Sequence, residues 1–561
     1  MTTTTQSYKL INILLLIFLG AGISSTGQVP EKKLNSLFSD WDQPDTPGGA
    51  VGVIKEGQLI FARGYGLADL EHDIPITPSS VFYIGSTGKQ FTAFCILLLA
   101  ERRKLDLDDE IHQYLPDFPR YGAAITIRHL IDHTSGIRDY SSLWDLQGTG
   151  YLEHISAEET YRMLQNQSAL NFTPGDEYLY NNSGYFLMSE IVEKASGMSL
   201  KKFAYKNIFK PLSMDHTLFL DDNRDIIKNR VFGYEKNDKG GFNNLIRRFE
   251  LVGSGGVYSS IEDLYLWDQN FYNNKLGKGG QSIVNEMYSS GYLNNGTKTG
   301  SATGLVMGKY KGLRQILHGG SHGGFKAQLL RFPEQNFSVV ILANRSDANV
   351  DTRAYQVADL FLSDLYIAEQ SKTIADQTFQ QVGQEELSEI VGDYINRKSG
   401  IIRKIIVENG TPYYYRRASR KDKLSAIGEN EFQLIDLPSK TVVKFGKDKN
   451  GVTTLSYYAN DIYRSTLHRY RPEKYTNEEL ALFEGKYYCA DIESTYELKM
   501  DESDLLLIVN HKKIAPLTAV TTDVLSGGSF GTFFFERDKD KKITGFELNS
   551  RRVRNVRFSK Q

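Results

Sequence analysis

The sequence predicts an α+β unit followed by all-β domains, and three observations carry that reading. β-prone runs stand at both ends of residues 28–368 with helical patterns between them, so distant strands must join in one sheet. Near residue 370 the composition shifts to a polar, Gln-rich stretch. Beyond it, short strands and turns run to the end of the 561 residues, and aromatics make up 12% of the chain, an enrichment that accompanies β structure. That length corresponds to roughly three to four domains. With 40% hydrophobic and 24% charged residues the chain has the balance of a globular protein. Lys+Arg 66 against Asp+Glu 68 leaves a net charge of -2, which supplies no global field for nucleic acid or an anionic membrane. Two cysteines, Cys95 and Cys489, form neither a disulfide framework nor a Cys-rich metal site.

Taken in order, the first element is an export signal over residues 1–27. Lys9 precedes an apolar stretch, Leu10 to Ile23, interrupted by Asn12 and followed by Ser24-Ser25-Thr26-Gly27. The stretch is shorter than the ~20 apolar residues of a spanning helix, and no Cys follows it for a lipid anchor. The expected product is a periplasmic or secreted protein with no membrane span in the mature chain. Two β-prone runs, Gly48–Ile54 and Leu59–Tyr65, flank the loop Lys55-Glu56-Gly57-Gln58 and read as a hairpin. Thr87 to Arg102 reads as a long helix, and Ser183 to Ser196 as another that stops at Gly197. A further helix starts at Ser260, with Asp263 placed to answer the cap. Strands return at Leu329–Arg331 and Phe337–Leu342. Residues 369–386 read as a linker or frayed helix, and 387–470 and 477–561 as two small β-rich domains. Leu387, Gly392 and Tyr394 recur as Leu480, Gly485 and Tyr487 at an offset of 93, which points to a duplicated domain.

Chemistry concentrates at Ile84-Gly85-Ser86-Thr87-Gly88-Lys89. Positions i and i+3 share a helix face, so Lys89 sits one turn above Ser86. A serine needs a neighbouring base to become a nucleophile, and a desolvated lysine can be that base. The helix N-terminus adds free N–H groups for a developing oxyanion. Alone, S-x-x-K is equally a helix cap with a solvated lysine. It is accompanied by Tyr180-Asn181-Asn182, a Y-x-N, and by His318-Gly319-Gly320-Ser321, an H-x-G in a Gly-rich strand context.

In the order S-x-x-K, Y-x-N, H-x-G the sequence resembles the penicillin-recognising serine hydrolases, closest to the class C β-lactamase-like group with its D-Ala-D-Ala carboxypeptidases, D-aminopeptidases and esterases. The resemblance covers about residues 31 to 365. It implies a β-lactamase/transpeptidase-like antiparallel sheet flanked by helices, with a helical subdomain after the S-x-x-K helix and Ser86 at their interface. It also implies roles: Ser86 as the nucleophile that forms an acyl-enzyme, Lys89 as acceptor of its proton, and Tyr180 as general base or relay with its pKa lowered by the neighbouring cation. Asn182 would bond the substrate amide or Lys89. His318 and Gly320 would line the substrate, and the backbone N–H groups of Ser86 and Ser321 would form the oxyanion hole. No cofactor or metal is implied. The third motif departs from K-T-G, and a mostly neutral His318 followed by glycine holds a carboxylate less well, which disfavours strong β-lactamase activity. The implied substrates are D-amino-acid or cell-wall-like peptides and amides, or esters. The competing class is a non-catalytic peptidoglycan- or ligand-binding sensor.

Four other features read as structural. Gly527-Gly528-Ser529-Phe530-Gly531 matches G-x-S-x-G but runs into a strand, so it is a hairpin turn and not a nucleophile elbow. His129 and His133, four apart, lack the Glu and third ligand of a zinc site. Tyr413 to Lys421 joins aromatics to cations and reads as a solvated hairpin. Cys95 reads as a buried core thiol unbonded to Cys489. The tail is expected to supply no catalytic group and to cover or shape the pocket mouth or attach the enzyme to a partner, the alternative being a stabilising appendage with no effect on substrate.

Overall fold

The structure is a computed structural model and describes residues 29–149, 153–246, 248–367, 383–417, 420–435, 437, 440–459 and 461–561. The expected export signal and most of the expected linker lie outside the described residues. An eight-stranded antiparallel sheet organises the first unit, in the order Ser290–Tyr292, Lys298–Ala302, Leu305–Tyr310, Leu313–His322, Phe325–Phe332, Phe337–Ala343, Gly49–Lys55, Gln58–Tyr65. The N-terminal hairpin therefore joins the sheet beside strands nearly three hundred residues later, with Gly49 opposite Ala343 and Val53 opposite Val339. Strand Gly49–Lys55 is buried along nearly its whole length, because both faces are covered. On one face Leu34, Phe38 and Val357 build a core with Val51, Val53 and Ile341. On the other, Ala50 and Ile54 join the larger core around the helix Lys89–Glu101.

That helix is apolar all round, with Phe91, Phe94, Ile96 and Leu98 each fully buried, and a helix of that kind belongs inside a domain. Trp267, on the helix Ile261–Asn270, packs its ring on Phe91 and Phe94 and donates its indole N–H to Gln90. The expected long helix thus divides into a 3₁₀ turn, Gly85–Gly88, and the α-helix Lys89–Glu101. Helix Asn182–Ser196 ends at Gly197 as expected. Ser260 accepts the N–H of Asp263, but the Asp263 carboxylate turns to His216 and Thr217 and leaves the cap unanswered.

Two closed eight-stranded antiparallel barrels follow, over Gly392–Tyr470 and Gly485–Lys560. The repeat is visible in detail. Each barrel is preceded by a short helix, Gln384–Ile390 or Asn477–Ala481, and the first of these begins inside the expected linker. Tyr394 donates its hydroxyl to Ile390 O at 2.6 Å, and Tyr487 donates to Phe483 O at 2.7 Å. The second barrel shares one continuous core with the first unit, whereas the first barrel has its own. Arg138, buried in the first unit, donates to Asp491 at 2.5 Å and to the carbonyls of Arg554 and Asn555 at 3.1 and 2.6 Å. Among the described residues no helix is long and apolar enough to cross a membrane.

The readings of the other features hold. Gly527 N–H bonds Gly531 O in the turn between two barrel strands. Arg416 pairs with Asp422 and Lys421 with Glu408 on a barrel hairpin. Both cysteines are buried and unbonded to each other, with burial pushing the Cys489 thiol up to about 11.

Candidate active site

Ser86 sits in the 3₁₀ turn that leads into the buried helix, so the turn is pinned at its C-terminal end by the core. Strand Leu313–His322 crosses this turn with backbone nearly touching backbone, and two glycines make the approach possible. A Cβ on Gly320 would stand 2.0 Å from Ile84 O and 3.1 Å from Ser86 N. A Cβ on Gly85, whose φ of +55° already favours glycine, would stand 2.9 Å from Ser321 N. The N–H groups of Ser86 and Ser321 are thereby brought to the same place.

Lys89 is fully buried. Burial drives its pKa well below the ordinary lysine value, and the nearby Arg552 guanidinium pushes in the same direction while Asp139 opposes. Its Nζ lies 2.9 Å from Asn182 Oδ1, 2.5 Å from Ser254 O and 3.2 Å from Ser86 Oγ. These three oxygens fix the amine beside the Ser86 hydroxyl.

Tyr180 completes the cluster, with its hydroxyl in hydrogen-bonding contact with Ser86. Its ring is packed on His133, with centroids 4.4 Å apart, and lies 5.0 Å below Lys89 Nζ. One expectation is corrected here. Burial raises the Tyr180 pKa above its ordinary value, and the hydrogen bond to Ser86 and the charge of Arg552 offset this only in part. Tyr180 is therefore a neutral phenol near pH 7. Asn181, the middle residue of the Y-x-N, caps the helix by accepting Gly184 N–H and points away from Lys89. Asn182 then projects its side chain to Lys89 and Ser141.

His318 Nδ1 lies 2.7 Å from Gly319 O, a carbonyl, so Nδ1 carries the proton and Nε2 is the acceptor. Burial, with help from Lys89, lowers its pKa to about 4, so the ring is neutral near pH 7. Ser321 Oγ accepts from Lys326 Nζ at 2.8 Å. His129 Nδ1 accepts the Thr126 N–H and His133 Nδ1 the Asn181 N–H, so both histidines serve as local fasteners.

These groups open onto a cavity of about 700 Å³, lined by Ser86, Tyr180, Asn182, His318, Ser321 and Arg552 among others. Two members escaped the sequence reading. Ser254 supplies the carbonyl that orients Lys89 and bonds Tyr140 through its hydroxyl, and its signal was the Gly-rich Gly253-Ser254-Gly255-Gly256 run. Arg552 comes from the last hairpin of the second barrel, with its guanidinium 4.7 Å from the Tyr180 ring centre. Nothing local in sequence marks it.

A serine held against a buried lysine, on a turn crossed by a glycine strand of an antiparallel sheet, defines an active-serine hydrolase. The chain belongs to the Beta-lactamase family, whose model matches residues 35–361. It is 27% identical over 443 residues to "Penicillin-binding protein 4*" of Bacillus subtilis, covering 75% of this chain and 95% of that one. It is 24% identical over 526 residues to a "D-aminopeptidase" of Brucella anthropi, covering 91% of this chain and 95% of that one. The octameric penicillin-binding protein homologue from Pyrococcus abyssi shares the fold, with a TM-score of 0.55 and 22% identity over 78% of this chain and all of its own. The protein is accordingly a serine hydrolase.

Proposed function

We propose that the protein is an exported amidase or peptidase that forms an acyl-enzyme on Ser86 and acts on D-amino-acid or cell-wall-like peptides and amides. The observation that carries this reading is the Lys89 amine, buried, with its pKa driven down by that burial, and 3.2 Å from Ser86 Oγ. The substrate carbonyl oxygen enters between the N–H groups of Ser86 and Ser321, which stabilise it as negative charge develops. Ser86 Oγ forms a bond to the carbonyl carbon as its proton passes to Lys89. Tyr180, a neutral phenol beside both groups, relays that proton to the departing amine, and the C–N bond breaks. Water then attacks the ester on Ser86 and releases the acid. Asn182 keeps Lys89 oriented throughout.

Amide specificity at a D-residue is supported by the D-aminopeptidase relatives, one of which matches this chain over 91% of its length. The neutral His318, in place of a lysine, supports ranking β-lactam hydrolysis behind amides and esters. A fluorescent phosphonate should label the wild-type protein and leave Ser86→Ala unlabelled; equal labelling of the two refutes the reading. In parallel assays of D-alanyl peptides, p-nitrophenyl esters and nitrocefin, dominance of nitrocefin would overturn the argument from His318. Export by residues 1–27 is supported by their sequence pattern. N-terminal sequencing of the mature protein should begin at Gln28.

A further inference from the structure

The proposed reaction employs Ser86, Lys89, Tyr180 and Asn182 and gives no task to Arg552, a cation on the pocket wall. Arg552 stands at the turn between strands Ile543–Ser550 and Val553–Lys560 of the second barrel. Its guanidinium lies 4.7 Å from the centre of the Tyr180 ring and lines the same cavity as Ser86. Its charge partner is Asp139, at 3.8 Å. That carboxylate is already engaged: Oδ1 accepts the N–H groups of Ser141 and Ser142, and Oδ2 accepts Asn182 N–H at 2.6 Å. Among the described residues the Arg552 guanidinium makes no hydrogen bond, so its fork of donors remains available to a ligand.

The backbone around Arg552 is held firmly. Its carbonyl accepts from Asn171 Nδ2 at 3.0 Å, and Arg554 N–H donates to Asn171 Oδ1 at 2.7 Å. Arg138 clamps the carbonyls of Arg554 and Asn555. A cation fixed in this way from a separate barrel is preorganised for a planar anion, and a guanidinium matches a carboxylate through two parallel hydrogen bonds. The other charged side chains on the cavity wall are Lys326, which donates to Ser321 Oγ, and Asp351.

We propose that Arg552 is a specificity-determining residue that binds a carboxylate of the substrate. The site then takes amides and peptides that carry an anionic group close to the scissile bond and disfavours those that carry a free ammonium there. The cation absent from the third motif at His318 is supplied by the tail. The proposal rests on the Ser86 acyl-enzyme reading and separates this chain in substrate charge from an aminopeptidase, which must accept a free amino terminus.

The test uses three alkyl fluorophosphonates of equal length, ending in a carboxylate, a methyl or an ammonium group, and measures the second-order rate of Ser86 labelling in the full chain. The wild type should react with the carboxylate probe about tenfold or more faster than with the ammonium probe. That ratio should fall with added salt. It should drop toward one in Arg552→Gln, reverse in Arg552→Glu and survive in part in Arg552→Lys. The methyl probe is the reference for folded protein. If Arg552→Glu also loses methyl-probe labelling, the wild-type ratio and Arg552→Gln decide. Equal rates for the charged probes in the wild type overturn the proposal. So does a ratio unchanged in Arg552→Gln, or one abolished by Lys326→Gln instead. Labelling by the methyl probe without charge preference leaves the acyl-enzyme reading standing. Failure of all three probes removes that reading and this proposal together.

Discussion

Lys89 shows how a single burial event sets a reaction up. Inside the core the charged form of its amine is disfavoured, and Asn182 and Ser254 hold that amine beside Ser86. General-base contributions run at about 10²–10⁴-fold, so Lys89→Met should slow phosphonate labelling by at least about a hundredfold. The wild-type labelling rate should rise with pH as Lys89 loses its proton, with the midpoint below the ~10.4 of a free lysine. Because Tyr180 stays protonated, Tyr180→Phe should lower the rate yet leave that midpoint in place. A midpoint that moves with Tyr180→Phe would return the role of base to the tyrosine. At this scale the S-x-x-K and Y-x-N residues were legible, because their chemistry lies in short spacings. The ionisation of Tyr180 was not, because it depends on how deeply the fold buries the ring, which no spacing along the chain records.

Elements position the site through close backbone approach. The strand Leu313–His322 reaches Ser86 only because residues 85 and 320 lack a Cβ. Gly320→Ala should push the strand away from the turn and abolish phosphonate labelling while the protein still unfolds cooperatively on heating; labelling at the wild-type rate would show that the two N–H groups need not meet. Helix Ile127–Ile131 carries a second test at its C-terminal end. Asp132 is buried, which raises its pKa to about 7, with Arg128 opposing. Its folded value lies above the unfolded one of about 3.9. The stability it contributes is therefore complete below about pH 4 and is lost as pH rises through about 7. Asp132→Asn should raise Tm relative to wild type at pH 8 and make little difference at pH 4. The duplicated barrels were legible from Leu, Gly and Tyr at an offset of 93, because in each copy the tyrosine ties the first strand to the helix before it. Their closure depends on long-range pairings such as Tyr394 with Arg469, to which no local pattern points.

On the scale of the whole molecule, the second barrel is part of the catalytic unit's interior. Tyr496 reaches across to donate to Leu146 O, and Arg138 binds Asp491 and two barrel carbonyls with its own side chain wholly buried. Removing one partner of a buried ion pair costs about 3–5 kcal/mol, so Arg138→Ala should lower the free energy of urea unfolding by about that amount. A variant within about 1 kcal/mol of wild type would mean that the shared apolar core alone holds the barrel. The same packing makes truncation after residue 370 destabilising, since it uncovers the face of the first unit that Phe483, Tyr496 and Phe546 share in one core with Leu143 and Leu146.

By itself the sequence determined the α+β unit, the S-x-x-K, Y-x-N and H-x-G motifs and the repeated β tail. Each of the motifs is written in neighbouring residues. Only the tertiary structure decided that burial lowers the Lys89 pKa and raises that of Tyr180, and that Arg552 lines the pocket. These depend on burial and on the docking of residues more than three hundred positions apart, such as Arg138 on Asp491. Desolvation and charge proximity act through space, and no spacing along the chain encodes them.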